Sequence, residues 1–252
     1  ETGSNIGMNW RESEGNSATV AGIYPMLKKF IVSGVLALSS AGLLAATAAP
    51  APSGAGPENK IRIRVGQRLS GKQKDLVQSA RGLLEEASVS YVYGGKRLGT
   101  AADCEACNQC LEARRPSSDR RLRVCAECAR CSLDCSHFTQ LVFERAGISH
   151  PYLTSKDMVS LSATRLDRDF GFLSLPPDPA SAAPGDLLVY KGHVVLLERS
   201  HAGGKGDIIH ATGGRDIKEP GQGIQRERWA ELGNLRGPLL RILRHRTLTQ
   251  DR

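Results

Sequence analysis

Residues 134–147 read Asp-Cys-Ser-His-Phe-Thr-Gln-Leu-Val-Phe-Glu-Arg-Ala-Gly. Phe138, Leu141 and Val142 recur at the spacing of one helix face, so the stretch predicts a helix over Ser136–Ala146. Asp134 stands ahead of it as N-cap and Gly147 behind it as C-cap. An earlier apolar series, Leu76, Val77, Ala80, Leu83, Leu84 and Ala87, predicts an amphipathic helix over 72–88. It stops before Tyr91-Val92-Tyr93-Gly94-Gly95, where β-branched and aromatic residues run into a Gly-Gly turn. Beyond a Pro-rich loop (Leu175–Pro184), short apolar runs follow at Leu187–Tyr190, Val194–Leu197, Asp207–His210 and Leu239–Leu243. Close turns separate the first three, which suits an antiparallel meander. Helices first and sheet second imply an α+β domain over residues 70–252.

The 252 residues carry 40% hydrophobic and 24% charged side chains, which excludes a wholly disordered chain and a polytopic membrane protein. Residues 1–25 are polar and aperiodic, a leader or expression-derived segment without expected order. Met26, Lys28 and Lys29 precede an apolar run from Phe30 to Ala46, and Ala46-Thr47-Ala48 forms a small-residue exit. That order reads as a secretory signal peptide over 26–48. The rival reading is an uncleaved anchor, the one membrane contact the sequence suggests. The abundance of Ala, Ser and Gly favours cleavage and export to a periplasmic or extracellular space. Residues 49–69 follow as a Pro/Gly/Ala linker and a strand alternating from Lys60 to Val65. Loss of residues 1–48 removes Arg11, Lys28 and Lys29 with Glu1, Glu12 and Glu14, so the net charge of +8 survives. A basic exported protein fits an anionic partner such as cell wall; nucleic acid is not expected there.

Cys135 falls at the first turn of its helix, where unpaired N–H groups and the helix dipole favour negative charge, so its thiol is expected to tend toward thiolate. His193 opens the run Gly192-His193-Val194-Val195-Leu196-Leu197, and His210 closes Ile208-Ile209-His210. A lone histidine on such a strand is commonly a satisfied core residue. Two on neighbouring strands, after a nucleophile-like cysteine, resemble a thiol–imidazole pair with an orienting third group.

Tyr91-Val92-Tyr93-Gly94-Gly95, Asp134-Cys135-Ser136, Pro184-Gly185-Asp186-Leu187, Gly192-His193-Val194 and Ile209-His210-Ala211 occur in the order found in NlpC-type cell-wall cysteine peptidases. The chain resembles that family over residues 70–245, apart from one insert. The resemblance implies a papain-like fold and hydrolysis of peptidoglycan stem peptides, commonly between D-γ-glutamate and the diamino acid. It implies that Cys135 is the nucleophile, His193 the base, His210 the orienting third member and Tyr91 a lining residue of the oxyanion site. Asp134, Ser136 and His137 fall on the substrate side. His137 stands where the family usually has a small residue, and its offset of two from Cys135 points it to the pocket edge. No catalytic cofactor is implied.

The insert, residues 96–133, carries Cys104-x2-Cys107-x2-Cys110 and Cys125-x2-Cys128-x2-Cys131. Cys107, Cys110, Cys125 and Cys128 give C-x2-C-x14-C-x2-C, close to a zinc-ribbon spacing. Export favours three disulfides instead. A structural zinc and disulfides stay open, and both leave Cys135 as the unpaired seventh. Arg114, Arg115, Arg120, Arg121 and Arg123 at the insert's tip offer a grip on an anionic polymer. Besides a secreted endopeptidase, the residues permit a zinc-stabilised basic module for an anionic polymer, or a papain-like secreted effector or acyltransferase.

Overall fold

The computed structural model describes residues 69–213 and 219–249. The leader, signal peptide, linker and first strand expected within residues 1–68 lie outside the described residues. Among the described residues no helix is long and apolar enough to cross a membrane.

The first helix, α1 (Gly71–Glu86), begins in a capping box: Ser70 accepts from the Gln73 N–H, and the Gln73 side chain accepts from the Ser70 N–H. It buries Leu76, Val77, Ala80 and Leu83. The insert then opens with a two-residue strand, β1 (Lys96–Arg97), and contains α2 (Ala101–Arg114) and α3 (Arg121–Val124). It closes with β2 (Ser132–Leu133), which pairs antiparallel with β1. Helix α4 (Cys135–Arg145) follows at once, then α5 (Ser155–Ser160) and α6 (Ala163–Phe170).

The rest is sheet. Strands β3 (Phe172–Leu175), β4 (Leu187–Tyr190), β5 (His193–Ser200), β6 (Lys205–Ala211), β7 (Ile224–Glu231) and β8 (Arg241–His245) form one six-stranded antiparallel sheet in the order β3-β8-β4-β5-β6-β7. The expected meander is present as β4-β5-β6 and continues into β7. The chain's last strand returns to pair with β4, and β3 and β7 were not foreseen. The α+β class stands.

Alternation along the strands divides two cores. Leu187, Val189, Val194, Leu196 and Ile209 pack with Leu76, Leu83, Phe138, Val142 and Phe143 of α1 and α4. Leu188, Val195, Leu197, Ile208 and Ile242 pack on the opposite face. Helix α4 buries Phe138, Thr139, Val142 and Phe143, whereas the expected Leu141 is only partly covered. Gly147 ends it with φ +69, as the Ile148 N–H reaches the Phe143 carbonyl and the Gly147 N–H that of Glu144. Where β4 begins, buried Asp186 accepts from Arg244 Nε at 2.7 Å and Nη2 at 2.6 Å, a two-pronged pair tying β4 to β8.

The insert corrects the zinc expectation. Its cysteines form three nested disulfides, Cys104–Cys131, Cys107–Cys128 and Cys110–Cys125. Among the described residues no group of His, Cys, Asp or Glu is arranged to hold a metal ion. The C-x2-C spacing is the reason for both readings. On α2, residues three apart share one face, so Cys104, Cys107 and Cys110 form a row. The returning segment runs antiparallel to that row and pairs first with last. Cys107–Cys128 and Cys110–Cys125 pack with Val92 and Leu111 in a small core of their own, while Cys104–Cys131 joins the main core.

Candidate active site

The Gly94-Gly95 turn and the β1–β2 ribbon set the start of α4. A Cβ on Gly95 would lie 2.4 Å from Ser132 Oγ and 2.9 Å from the Leu133 nitrogen, so only glycine allows this approach. Asp134 caps the helix: Oδ1 accepts from the His137 N–H at 2.8 Å and from the Ser136 hydroxyl at 2.9 Å, while Oδ2 accepts from the Gly94 N–H at 3.2 Å. Asp134 and Ser136, expected on the substrate side, are thus buried beneath bonds of their own. Of the three, His137 alone retains appreciable side-chain exposure, at 20%. Its ring stacks on Tyr152 at 4.2 Å, and the Tyr152 hydroxyl lies 2.8 Å from Ser136 Oγ.

Cys135 is the free cysteine of the seven. Backbone N–H groups of Val194, Ser136 and Cys135 act on its sulfur and favour the thiolate. Val194 follows His193 on β5. His193 Nε2 lies 2.8 Å from His210 Nδ1. Beyond it, His210 Nε2 lies 2.9 Å from Glu227 Oε1, oblique to the ring's N–H direction. Three side chains on three adjacent strands thus form one line: β5, β6 and β7 carry His193, His210 and Glu227. His210 is fully buried and His193 nearly so.

Charge fixes the tautomers along this line. The proximity of His210, more than any other cause, holds the Glu227 carboxyl below its ordinary range, so it is an anion at neutral pH. A proton on His210 Nε2 faces that anion, which leaves Nδ1 as an acceptor for the His193 Nε2–H. The lone pair of His193 then resides on Nδ1. The sequence reading did not find Glu227; its one available signal was a carboxylate inside a largely polar stretch.

Burial overrides the expected thiolate. Desolvation, with a smaller contribution from neighbouring Asp134, raises the Cys135 thiol to about 11 against the lowering effect of the Val194, Ser136 and Cys135 N–H groups. Desolvation, then His210 and Arg236, lowers His193 to about 3. The resting groups are a neutral thiol and a neutral imidazole, because burial penalises the charged form of each.

Tyr91 sits against the same region. It bridges to Leu133 just before Cys135, and its ring lies so close under Gly213 that a Cβ there would approach Tyr91 Cδ1 to 1.9 Å. Burial first, then the proximity of Cys135 and Asp134, keeps its hydroxyl protonated and able to donate. Arg236, also absent from the sequence reading, donates to the Thr212 hydroxyl at 2.6 Å and adds positive charge felt by Tyr91, His193 and Glu227.

Comparisons of the chain with protein-family models, with curated proteins and with solved structures find no match.

Proposed function

We propose that the protein is an exported cysteine endopeptidase of papain-like type that hydrolyses amide bonds of peptidoglycan stem peptides, at the D-γ-glutamyl–diamino acid bond. The observation that carries this reading is the lone unpaired sulfur at a helix start, acted on by the N–H of Val194 on the strand that begins with His193, with His210 and Glu227 aligned behind that imidazole. The substrate class comes from the resemblance of the five motifs to the NlpC-type peptidases. Three disulfides fit an oxidising, exported location.

Because the resting pair is neutral, attack begins with proton transfer. His193 Nδ1 takes the thiol proton as Cys135 Sγ bonds to the substrate carbonyl carbon. The carbonyl oxygen becomes an oxyanion, held by the Cys135 N–H and the Tyr91 hydroxyl; one such donor is worth about 3 kcal/mol. The C–N bond breaks as His193 returns its proton to the departing amine. Water then attacks the thioester, giving up a proton to His193, and the acid product leaves as the thiol is restored. His210 keeps His193 in its tautomer through both halves, with Glu227 compensating the positive charge that forms on the imidazole.

Incubation of the purified protein with muropeptides, beside Cys135→Ala, tests this by mass spectrometry. Cleavage at the γ-glutamyl bond by the native protein alone supports the reading. Fragments formed equally by Cys135→Ala, or by neither protein, refute it.

A further inference from the structure

A cavity of about 400 Å³ opens between the insert and the body of the domain, and Tyr91 forms part of its wall. The insert lines it with Leu111, Glu112, Arg115 and Arg121, and Glu219 closes it from the loop ahead of β7. Two basic and two acidic residues therefore line one space. Among the described residues none of these four side chains forms an ion pair with any other side chain. By contrast Arg130, elsewhere on the insert, pairs with Asp103 at 2.8 Å.

Backbone geometry maintains the arrangement. Arg115 ends α2 in the left-handed region at φ 43, a conformation glycine adopts at lower cost, with Pro116 immediately after it. Arg121 Nη1 donates to the Tyr91 carbonyl at 2.7 Å, linking the cavity to the residue beside Cys135. The Cys107–Cys128 and Cys110–Cys125 bridges fix the wall from behind.

We infer that this cavity is a substrate subsite for a peptide segment carrying both carboxylate and ammonium groups, with Arg115 and Arg121 taking the anionic end and Glu112 and Glu219 the cationic end. The inference rests on the endopeptidase reading, since the stem peptide around a diamino acid has this mixed charge, and it gives the insert a task. The disulfides then serve binding by holding a charged wall that has little core of its own.

The test uses the full chain with Cys135→Ala, which cannot turn the ligand over, and titrates it with the stem tetrapeptide by calorimetry at low salt. Adding Arg115→Ala is expected to weaken binding 5- to 10-fold. Amidating the peptide's carboxylates should weaken it similarly, with no further loss from Arg115→Ala. Arg168→Ala, an equal charge change on the exposed face of α6, should leave affinity within twofold. The subsite is refuted if Arg115→Ala leaves affinity unchanged, if Arg168→Ala weakens it equally, or if the peptide does not bind. Cleavage by the native protein judges the enzymatic reading separately: cleavage with unchanged Arg115→Ala affinity sinks the subsite alone.

Discussion

His193 Nε2 and His210 Nδ1 face each other at 2.8 Å across adjacent strands, and this contact orients the His193 ring. It makes the second imidazole, and the carboxylate behind it, part of how the first works. Glu227→Gln keeps the shape but removes the anion that fixes the proton on His210 Nε2. We expect kcat to fall on the order of 100-fold, the low end of what a positioned acid–base pair contributes. Glu227→Asp should recover part of the loss. Nitrogen chemical shifts of His193 and His210 should show the altered tautomers in Glu227→Gln; unaltered shifts with full activity would contradict the relay.

The neutral resting pair has its own signature. With the Cys135 thiol raised to about 11, alkylation by iodoacetamide should be slow at neutral pH and climb steeply above the range of ordinary thiols. The rate against pH, read by mass spectrometry, checks this. A plateau already reached near pH 6 would mean a thiolate–imidazolium pair in the free protein.

Under denaturing conditions without reductant one thiol should react, and after reduction all seven. The innermost bridge closes a separation of 15 residues, and a loop of that size gives about 3 kcal/mol in the chain-entropy description. Cys110→Ser with Cys125→Ser should cost somewhat less, because the two outer bridges already hold the segment. Urea denaturation measures the difference. Cys131 stands four residues ahead of Cys135, so reducing all three bridges should also lower activity.

A second histidine pair predicts acid sensitivity. His150 and His245 lie 6.2 Å apart among Phe143 and Phe172, and burial lowers both, His245 to about 4. Both are neutral in the folded state while the unfolded chain takes up protons near pH 6.5. Their contribution is therefore complete above pH 6.5 and is lost as pH falls toward 4, on the order of 2 kcal/mol for His245. Denaturation at pH 7.5 and pH 5 should show the drop, and His245→Phe should flatten it.

The helix that carries Cys135 was readable because its cap, apolar stripe and terminal glycine agree with one another. The strands of His193 and His210 were readable because each holds an apolar run, Val194–Leu197 and Ile208-Ile209. Strand β7 escaped because Ile224–Glu231 is largely polar, an edge strand held by pairing to β6 rather than by burial of its own side chains. Glu227 was lost with it. The cysteine spacing was ambiguous for a physical reason, since x2 intervals suit both a metal knuckle and one face of a helix. The thiol's protonation was misjudged because sequence shows a helix start but not the solvent excluded above it.

Trapping the covalent intermediate tests the central claim most directly. Acid quenching during turnover of a stem peptide, followed by intact-mass and peptide mapping, should reveal one acyl group on Cys135, absent in Cys135→Ala and absent after the substrate is exhausted. Cleavage proceeding with no adduct on that sulfur, or with an adduct on another residue, would contradict the account.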